Sequence, residues 1–331
     1  MSDSYRGAGV DIEAAAEAVA LIADLAATAQ RPEVTEGIGG FAGLFRISES
    51  QLLAAATDGV GTKLEVARML ERLDTVGVDL VAMCADDVVC TGAEPLLFLD
   101  YLAVGSVAPE RVAAIVGGIA EGCRRAGCAL LGGETAEHPG VMADDAFDLG
   151  GFCVGVVDEA DLLGPHRVQE GDVLIGLASS GLHANGYSLV RATLLPRYGL
   201  SDHVEVLGRS LGEELLEPCT IHTPDVLALH HDGLLHAAAH VTGGGITGNL
   251  PRALPALLSA RIERGTWYEP PIFGLIQETA GIPDDDMFAT FNMGLGMILV
   301  VDPEHAGDVL ARTQGRGVRV GTVVPAGVPA D

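Results

Sequence analysis

Residues 57–63, T-D-G-V-G-T-K, contain the only lysine of a 331-residue chain, set behind two glycines and a threonine. Gly59 and Gly61 would let backbone approach an anion, Thr62 adds a hydroxyl and Lys63 a mobile positive charge, a set suited to nucleotide phosphates. The Walker signature is not met, since it needs four residues between its glycines and a Ser or Thr after the lysine, where Leu64 stands here. Asp58 would repel a bare phosphate and suits a bridging Mg²⁺ instead. Asp86 and Asp87, with Glu134 and Glu137 of G-G-E-T-A-E, supply more of the hard oxygens that Mg²⁺ takes. His183 and Asn185 in S-S-G-L-H-A-N-G, and His240 ahead of three glycines, add neutral donors and groups able to move a proton. Asn292 before Met-Gly is a weaker candidate, equally readable as a turn cap. Taken one at a time, each acid is as well explained as a charge facing water, and the glycine loop as a tight turn with a solvated lysine.

The elements that must position these groups follow from periodicity. Gln51–Thr57 reads as an apolar strand, and a helix begins near Leu64, with Leu64, Ala67 and Leu70 at helical spacing. A second helix is expected from about Thr75 to Thr91, ended by Gly92 and blocked by Pro95. Val81, Ala85 and Val88 form its buried stripe, with Asp79 and Asp86 on another face and Asp87 about one step around. L-L-F-L-D-Y-L-A-V-G is a strand, Pro109 starts a helix, C-A-L-L leads into a turn at G-G-E-T-A-E-H-P-G, and Phe147–Val157 is a further strand. Periodicity breaks between Asp161 and Gly171, which divides the chain into residues 1–165 and 166–331. The second half repeats strand, glycine loop and helix, and Asn292 stands where a late strand begins. The fold class is therefore α/β or α+β, with two comparable domains. The spacing of His236 and His240 would suit one helix face, but no H-E-x-x-H pattern accompanies it and zinc is not expected there.

The bulk composition excludes several partners. With 46 acidic against 19 basic residues the chain has a formal charge of −27, which disfavours nucleic acid and anionic membrane, so any phosphate must be held by local geometry or by a metal ion. No apolar run approaches a membrane span and no secretory start is visible, which reads as cytoplasmic. The six cysteines include no C-x-x-C pair and read as small buried hydrophobes.

Taken together the segments resemble the phosphoribosylformylglycinamidine cyclo-ligase (aminoimidazole ribonucleotide synthetase) family. The matching blocks run in order: S-Y-R-G-A-G-V-D-I, R-P-E-V with G-I-G-G-F-A-G-L-F, T-D-G-V-G-T-K-L, D-L-V-A-M-C-A-D-D-V-V, G-A-E-P-L-L-F-L-D-Y, G-I-A-E-G-C-R-R-A-G-C-A-L-L-G-G-E-T-A-E-H-P-G, G-D-V-L-I-G-L-A-S-S-G-L-H-A-N-G-Y-S-L-V-R, H-V-T-G-G-G-I-T-G-N-L-P-R and F-N-M-G-L-G-M. The resemblance implies a homodimer, with an N-terminal α/β domain whose strands join a dimer barrel and a C-terminal α/β domain. It implies ATP with Mg²⁺ as cofactors and closure of an imidazole ring on formylglycinamidine ribonucleotide through an iminophosphate. Carried over by residue, Asp58, Asp87 and Glu134 become metal or phosphate positions, and Gly59, Gly61, Thr62 and Lys63 phosphate contacts. His183, Asn185 and His240 become substrate-side groups, with Asp86 and Asn292 as further candidates. Two departures stand out. The helix before R-P-E-V carries no basic residue where the family has lysine, and P-C-T-I-H at 218–222 lacks the family's basic residue and tyrosine. They leave open a paralogue acting on another substrate, or a catalytically silent relative that binds a nucleotide or partner.

Overall fold

The computed structural model describes residues 12–327. Most of the S-Y-R-G-A-G-V-D-I block, ahead of the helix expected before R-P-E-V, lies outside the described residues. Helix α1 covers Ile12–Ala27, followed by the short strands β1 (Val34–Glu36) and β2 (Gly43–Arg46). β3 (Gln51–Gly59) alternates, with Leu52, Ala54 and Ala56 buried, as a sheet covered on one face requires. The glycine loop then leads into α2 (Lys63–Leu70) and α3 (Asp74–Val89). β4 (Glu94–Val104), α4 (Pro109–Ala126) and β5 (Ala129–Glu137) form a β-α-β unit, and β6 (Phe147–Asp158) completes a sheet of order β1-β2-β3-β6-β4-β5. β4 and β5 run parallel across the α4 crossover, as a parallel pair must be connected.

Residues 159–172 lead to a second, antiparallel sheet of order β10-β12-β7-β13-β11. Its strands are β7 (Val173–Ala178), β10 (Ala237–His240), β11 (Leu258–Ile262), β12 (Leu295–Val301) and β13 (Gly317–Pro325). A two-stranded ribbon, β8 (His203–Val204) with β9 (Arg209–Ser210), lies between β7 and β10 in sequence. The intervening helices are α5 (Tyr187–Leu194), α6 (Leu211–Leu215), α7 (Thr223–His231), α8 (Gly245–Asn249), α9 (Pro271–Ala280), α10 (Asp284–Phe288) and α11 (Ala306–Arg312). The mixed α/β class is as the sequence implied.

Two local expectations are corrected. G-G-E-T-A-E is part of β5 rather than a turn, because its backbone pairs with β4 from Leu99 through Val104. His236 and His240 do not share a helix face, because Ala237–His240 forms an edge strand against β12.

Helix α3 organises the interior. Nearly every residue from Thr75 to Val89 is buried, since the helix meets the inner face of the first sheet, α4, α7 and β10. It approaches α4 closely because Gly77 and Gly118 carry no side chain: a Cβ on Gly118 would stand 1.9 Å from the Asp74 carbonyl oxygen. A helix buried on all sides should be apolar all round. This one carries Asp79 and Asp86, both wholly buried, and each therefore needs partners.

Candidate active site

Three of the expected residues meet where the two sheets face each other across α3. Asp58, near the end of β3, lies on the helix-covered face of its strand, and its Oδ1 accepts the Gly59 amide at 2.7 Å. Asp87 comes from the last turns of α3, and His240 ends β10, with its Nδ1 2.9 Å from Asp87 Oδ1. Burial is the main force raising the Asp58 carboxyl above its ordinary value, and the Asp87 charge adds to it, against the opposing effects of the Gly59 amide and His240. Burial alone would lower His240, but the Asp87 hydrogen bond, with the charges of Asp87, Asp86 and Asp58, outweighs it and raises the imidazole above its usual value. Two carboxylates that repel each other beside an imidazole able to hold a proton form a donor set that a divalent cation would relieve.

Glu134 does not join them within one chain. It pairs with Tyr101, Tyr101 with Gly150 and Gly150 with Gly59, so Glu134 lies three strands from Gly59, about 14 Å at ordinary strand spacing. It is also on the opposite, exposed face of the sheet from Asp58. Among the described residues no three His, Cys, Asp or Glu side chains are gathered as a ready metal cage. Asp58 and Asp87 fit an Mg²⁺ that draws its other oxygens from phosphate and water.

Lys63 is corrected more sharply. Its side chain is 0 % exposed, its Nζ lies 2.8 Å from Asp79 Oδ2, and it donates to the carbonyls of His183 at 3.0 Å and Glu217 at 2.8 Å. Two of its three protons go to those carbonyls, and its charge is paired with the Asp79 carboxylate. Burial pulls its pKa down, but the Asp79 charge prevails and holds it above the ordinary lysine value. The lysine ties the first sheet's helices to the loops of the second half, and, wholly buried and paired with Asp79, it does not present its charge to a phosphate. Asp86 is likewise structural. Its Oδ1 accepts from the amides of His222 and Thr223 and from Thr223 Oγ1, and so closes the N-terminus of α7 from outside that helix.

The second-half candidates divide in the same way. His183 has a left-handed φ of 60°, and its Nε2 accepts the amides of Ser180 and Thr220, each at 3.3 Å. Burial, then the neighbouring His222 and His240, hold it well below its usual pKa, so it is a neutral ring that fixes two loops. Asn292 is buried, with Nδ2 donating to Gly181 O at 2.9 Å and Oδ1 accepting Gly294 N at 2.8 Å, so it positions the S-S-G-L-H-A-N-G loop rather than facing a substrate. Asn185 keeps only a long contact from Nδ2 to Met83 Sδ, 3.9 Å, and remains available to a ligand. Thr62 Oγ1 lies 3.1 Å from Ser188 Oγ, which joins the glycine loop to α5.

Sequence reasoning missed three contributors. Asp79 is expected with Asp86 on one helix face, seven residues and two helical turns apart, but that spacing is not read there as the signal of a pair of buried anchors. Asp100 shares the row Asp58–Gly151–Asp100–Gly133 across the first sheet, a neighbour relation that depends on strand order. His222 is wholly buried, with neither ring nitrogen bonded. Its ring stands near that of His183, 6.1 Å between centroids, and over Gly296, where a Cβ would come within 2.3 Å of His222 Nε2.

Residues 39–157 match the family model "AIR synthase related protein, N-terminal domain" and residues 169–330 match "AIR synthase related protein, C-terminal domain". The chain is 52% identical to a phosphoribosylformylglycinamidine cyclo-ligase of Brevibacillus brevis, over 96% of this chain and 93% of that one. It is 50% identical to the cyclo-ligase of an Anaeromyxobacter species, over 100% of this chain and 98% of that one. The chain belongs to the phosphoribosylformylglycinamidine cyclo-ligase family. Among solved structures, a thiamine-monophosphate kinase from Stenotrophomonas maltophilia shares the fold at a TM-score of 0.63 and 19% identity, over 92% of this chain and 93% of that one. PurL of Thermotoga maritima in complex with AMPPCP shares it at 0.57 and 15% identity. That match takes in 88% of this chain but only 43% of PurL, so this chain spans less than half of that protein.

Within the cyclo-ligase family, one of the two departures can be followed in the structure. In P-C-T-I-H the amides of Cys219, Thr220 and His222 bond to Asp79 Oδ1, His183 Nε2 and Asp86, so the segment is held by its backbone.

Two expected outcomes follow from this seam. Lys63→Met strands Asp79 as a buried, uncompensated charge and should cost about 3–5 kcal/mol. Lys63→Met with Asp79→Leu should cost clearly less than the two single changes summed, by urea denaturation, and simple additivity would show that the pair is not coupled. His222 is pushed down to about 3, chiefly by burial, whereas in the unfolded chain it titrates near the ordinary 6.5. Between those values the unfolded chain binds a proton that the folded chain refuses, so stability falls as pH drops below about 6.5, by up to about 1.4 kcal/mol per pH unit for this group. His222→Leu should flatten that acid slope in thermal melts from pH 7.5 to 5, and an unchanged slope would reject the assignment.

Proposed function

We propose that this chain catalyses the ATP-dependent ring closure of formylglycinamidine ribonucleotide to 5-aminoimidazole ribonucleotide. The observation that carries this reading is the Asp58–Asp87–His240 cluster, in a chain about half identical, nearly end to end, to proteins named for that reaction. The formyl oxygen takes the γ-phosphoryl group of ATP and ADP leaves. The ribose-bearing amidine nitrogen then attacks the activated carbon, inorganic phosphate departs, and loss of a proton leaves the imidazole ring. Bound Mg²⁺ supplies charge neutralisation to the transferred phosphoryl group. Asp58 and Asp87 would hold that ion, and the Gly59–Gly61 backbone with Thr62 would face the phosphates. His240, kept above its usual pKa, is the group placed to hold or move a proton, and Asn185 is placed to orient the substrate.

The test is direct. Purified protein with ATP, Mg²⁺ and formylglycinamidine ribonucleotide should form aminoimidazole ribonucleotide and ADP in equal amounts, and His240→Gln should lower turnover by about a hundredfold or more. Absence of both products from the unmodified protein sinks the reading. A full-rate His240→Gln variant removes the role given to that residue.

A homodimer belongs to the same proposal. Among the described residues the outer face of the first sheet is left uncovered, with Tyr101 45% and Phe152 41% exposed and Leu96 beside them. Among the described residues β5 also leaves an open edge along Ala129–Glu137. A bare apolar face next to an unpaired edge calls for a partner, and a second copy would cover both and bring its own Glu134 with it. Light scattering should give twice the chain mass, and Phe152→Glu should release single chains. A monomeric unmodified protein would refute it. No helix among the described residues is long and apolar enough to cross a membrane. A cytoplasmic location is part of this proposal.

A further inference from the structure

Arg252, beyond α8, makes contacts that neither fold nor chemistry has so far required. Its Nη2 donates to Gly40 O at 2.7 Å, its Nη1 to Asn249 Oδ1 at 3.0 Å, and its guanidinium lies 4.0 Å from the centre of the Phe41 ring. Gly40 and Phe41 belong to the glycine-rich stretch before β2, in the other half of the chain. Asn249 is buried, and its Nδ2 donates to the carbonyls of Thr242, Gly243 and Gly245, at 3.3, 3.1 and 2.9 Å. Those carbonyls form the glycine turn that follows His240. One guanidinium therefore spans two glycine-rich loops from opposite halves, through a carbonyl and a stacked ring on one side and an amide hub on the other.

Such loops have little to fix their own shape, because glycine backbone is the freest of all. Gly245 has φ 60°, and a Cβ there would stand 2.1 Å from Phe288 O. Arginine suits the task, since its planar fork bonds in two directions while its face stacks on an aromatic ring, which lysine cannot do.

We infer that Arg252 is a positioning residue: it locks the 37–42 segment against the 242–245 turn, and thereby sets the loop next to His240 for substrate loading rather than for the chemical step. This rests on the cyclo-ligase reading only where turnover is the readout, so the test has an arm that needs no substrate. In Arg252→Ala, chymotrypsin should cut after Phe41 at least about tenfold faster, while the cut after the exposed Tyr268 keeps its rate. In steady state the KM for ATP or the ribonucleotide should rise about tenfold with kcat within threefold, and Arg252→Lys should recover only part of the loss. An unchanged Phe41 cut overturns the proposal. So does equal acceleration at both sites, which would mean general loosening, or a fall in kcat with KM unmoved. If the unmodified protein forms no product, the cyclo-ligase reading fails and the cleavage ratio alone decides the role of Arg252.

Discussion

The structure depends on a helix that is buried on every side and yet carries two aspartates. Asp79 and Asp86 have no water to face, and a buried carboxylate without partners is among the costliest defects a fold can contain. The fold answers with the one lysine and with backbone. Asp79 takes Lys63 and the Cys219 amide, and Asp86 takes the free amides at the start of α7. All of the backbone partners belong to the second half of the chain. Satisfying the two charges is thus the same event as docking the two halves, and the seam is set by electrostatics as much as by apolar packing.

That seam separates structural from chemical groups. Anything that touches Asp79 or Asp86 becomes part of the frame: Lys63 is buried in an ion pair with Asp79 and bonded to two carbonyls, and residues 217–223 are held by amides and carbonyls. His183 and Asn292 are neutral or saturated and fix loops. One helical step from Asp86, Asp87 escapes the frame and turns to His240 and Asp58. On the proposed reading the same short stretch of α3 therefore serves both roles, and a change there that disturbed one would disturb the other.

How much of this was legible in the sequence follows from what sets each feature. β3, β4 and β6 were visible because each is a short apolar run written locally, and α3 because its apolar run ends at Gly92 and Pro95. The strand character of G-G-E-T-A-E was hidden, since its glycines and acids read as a turn and only pairing to β4 makes it extended. The acids were visible as a set, but the surroundings that distinguish them one by one were not. Asp58, Asp86, Asp87 and Glu134 have the same chemistry in one dimension, and burial, capping and sheet face separate them in three. Lys63 misled for a physical reason: a lysine behind two glycines is chemically right for phosphate, and nothing local shows that Asp79, sixteen positions on, faces it from a buried helix.

The charge balance sharpens what the proposed chemistry demands. The chain carries a formal −27, its only ammonium is sequestered, and helix α1, Ile12–Ala27, carries no lysine or arginine. A triphosphate entering between Asp58 and Asp87 would meet two carboxylates before it met any mobile cationic side chain of the seam. Glycine amides and dipoles can soften that field but cannot reverse it. On the proposed reading the countercharge must arrive with the nucleotide, as divalent metal, and the two acids that would repel naked phosphate become the reason it binds only in its metal-bound form.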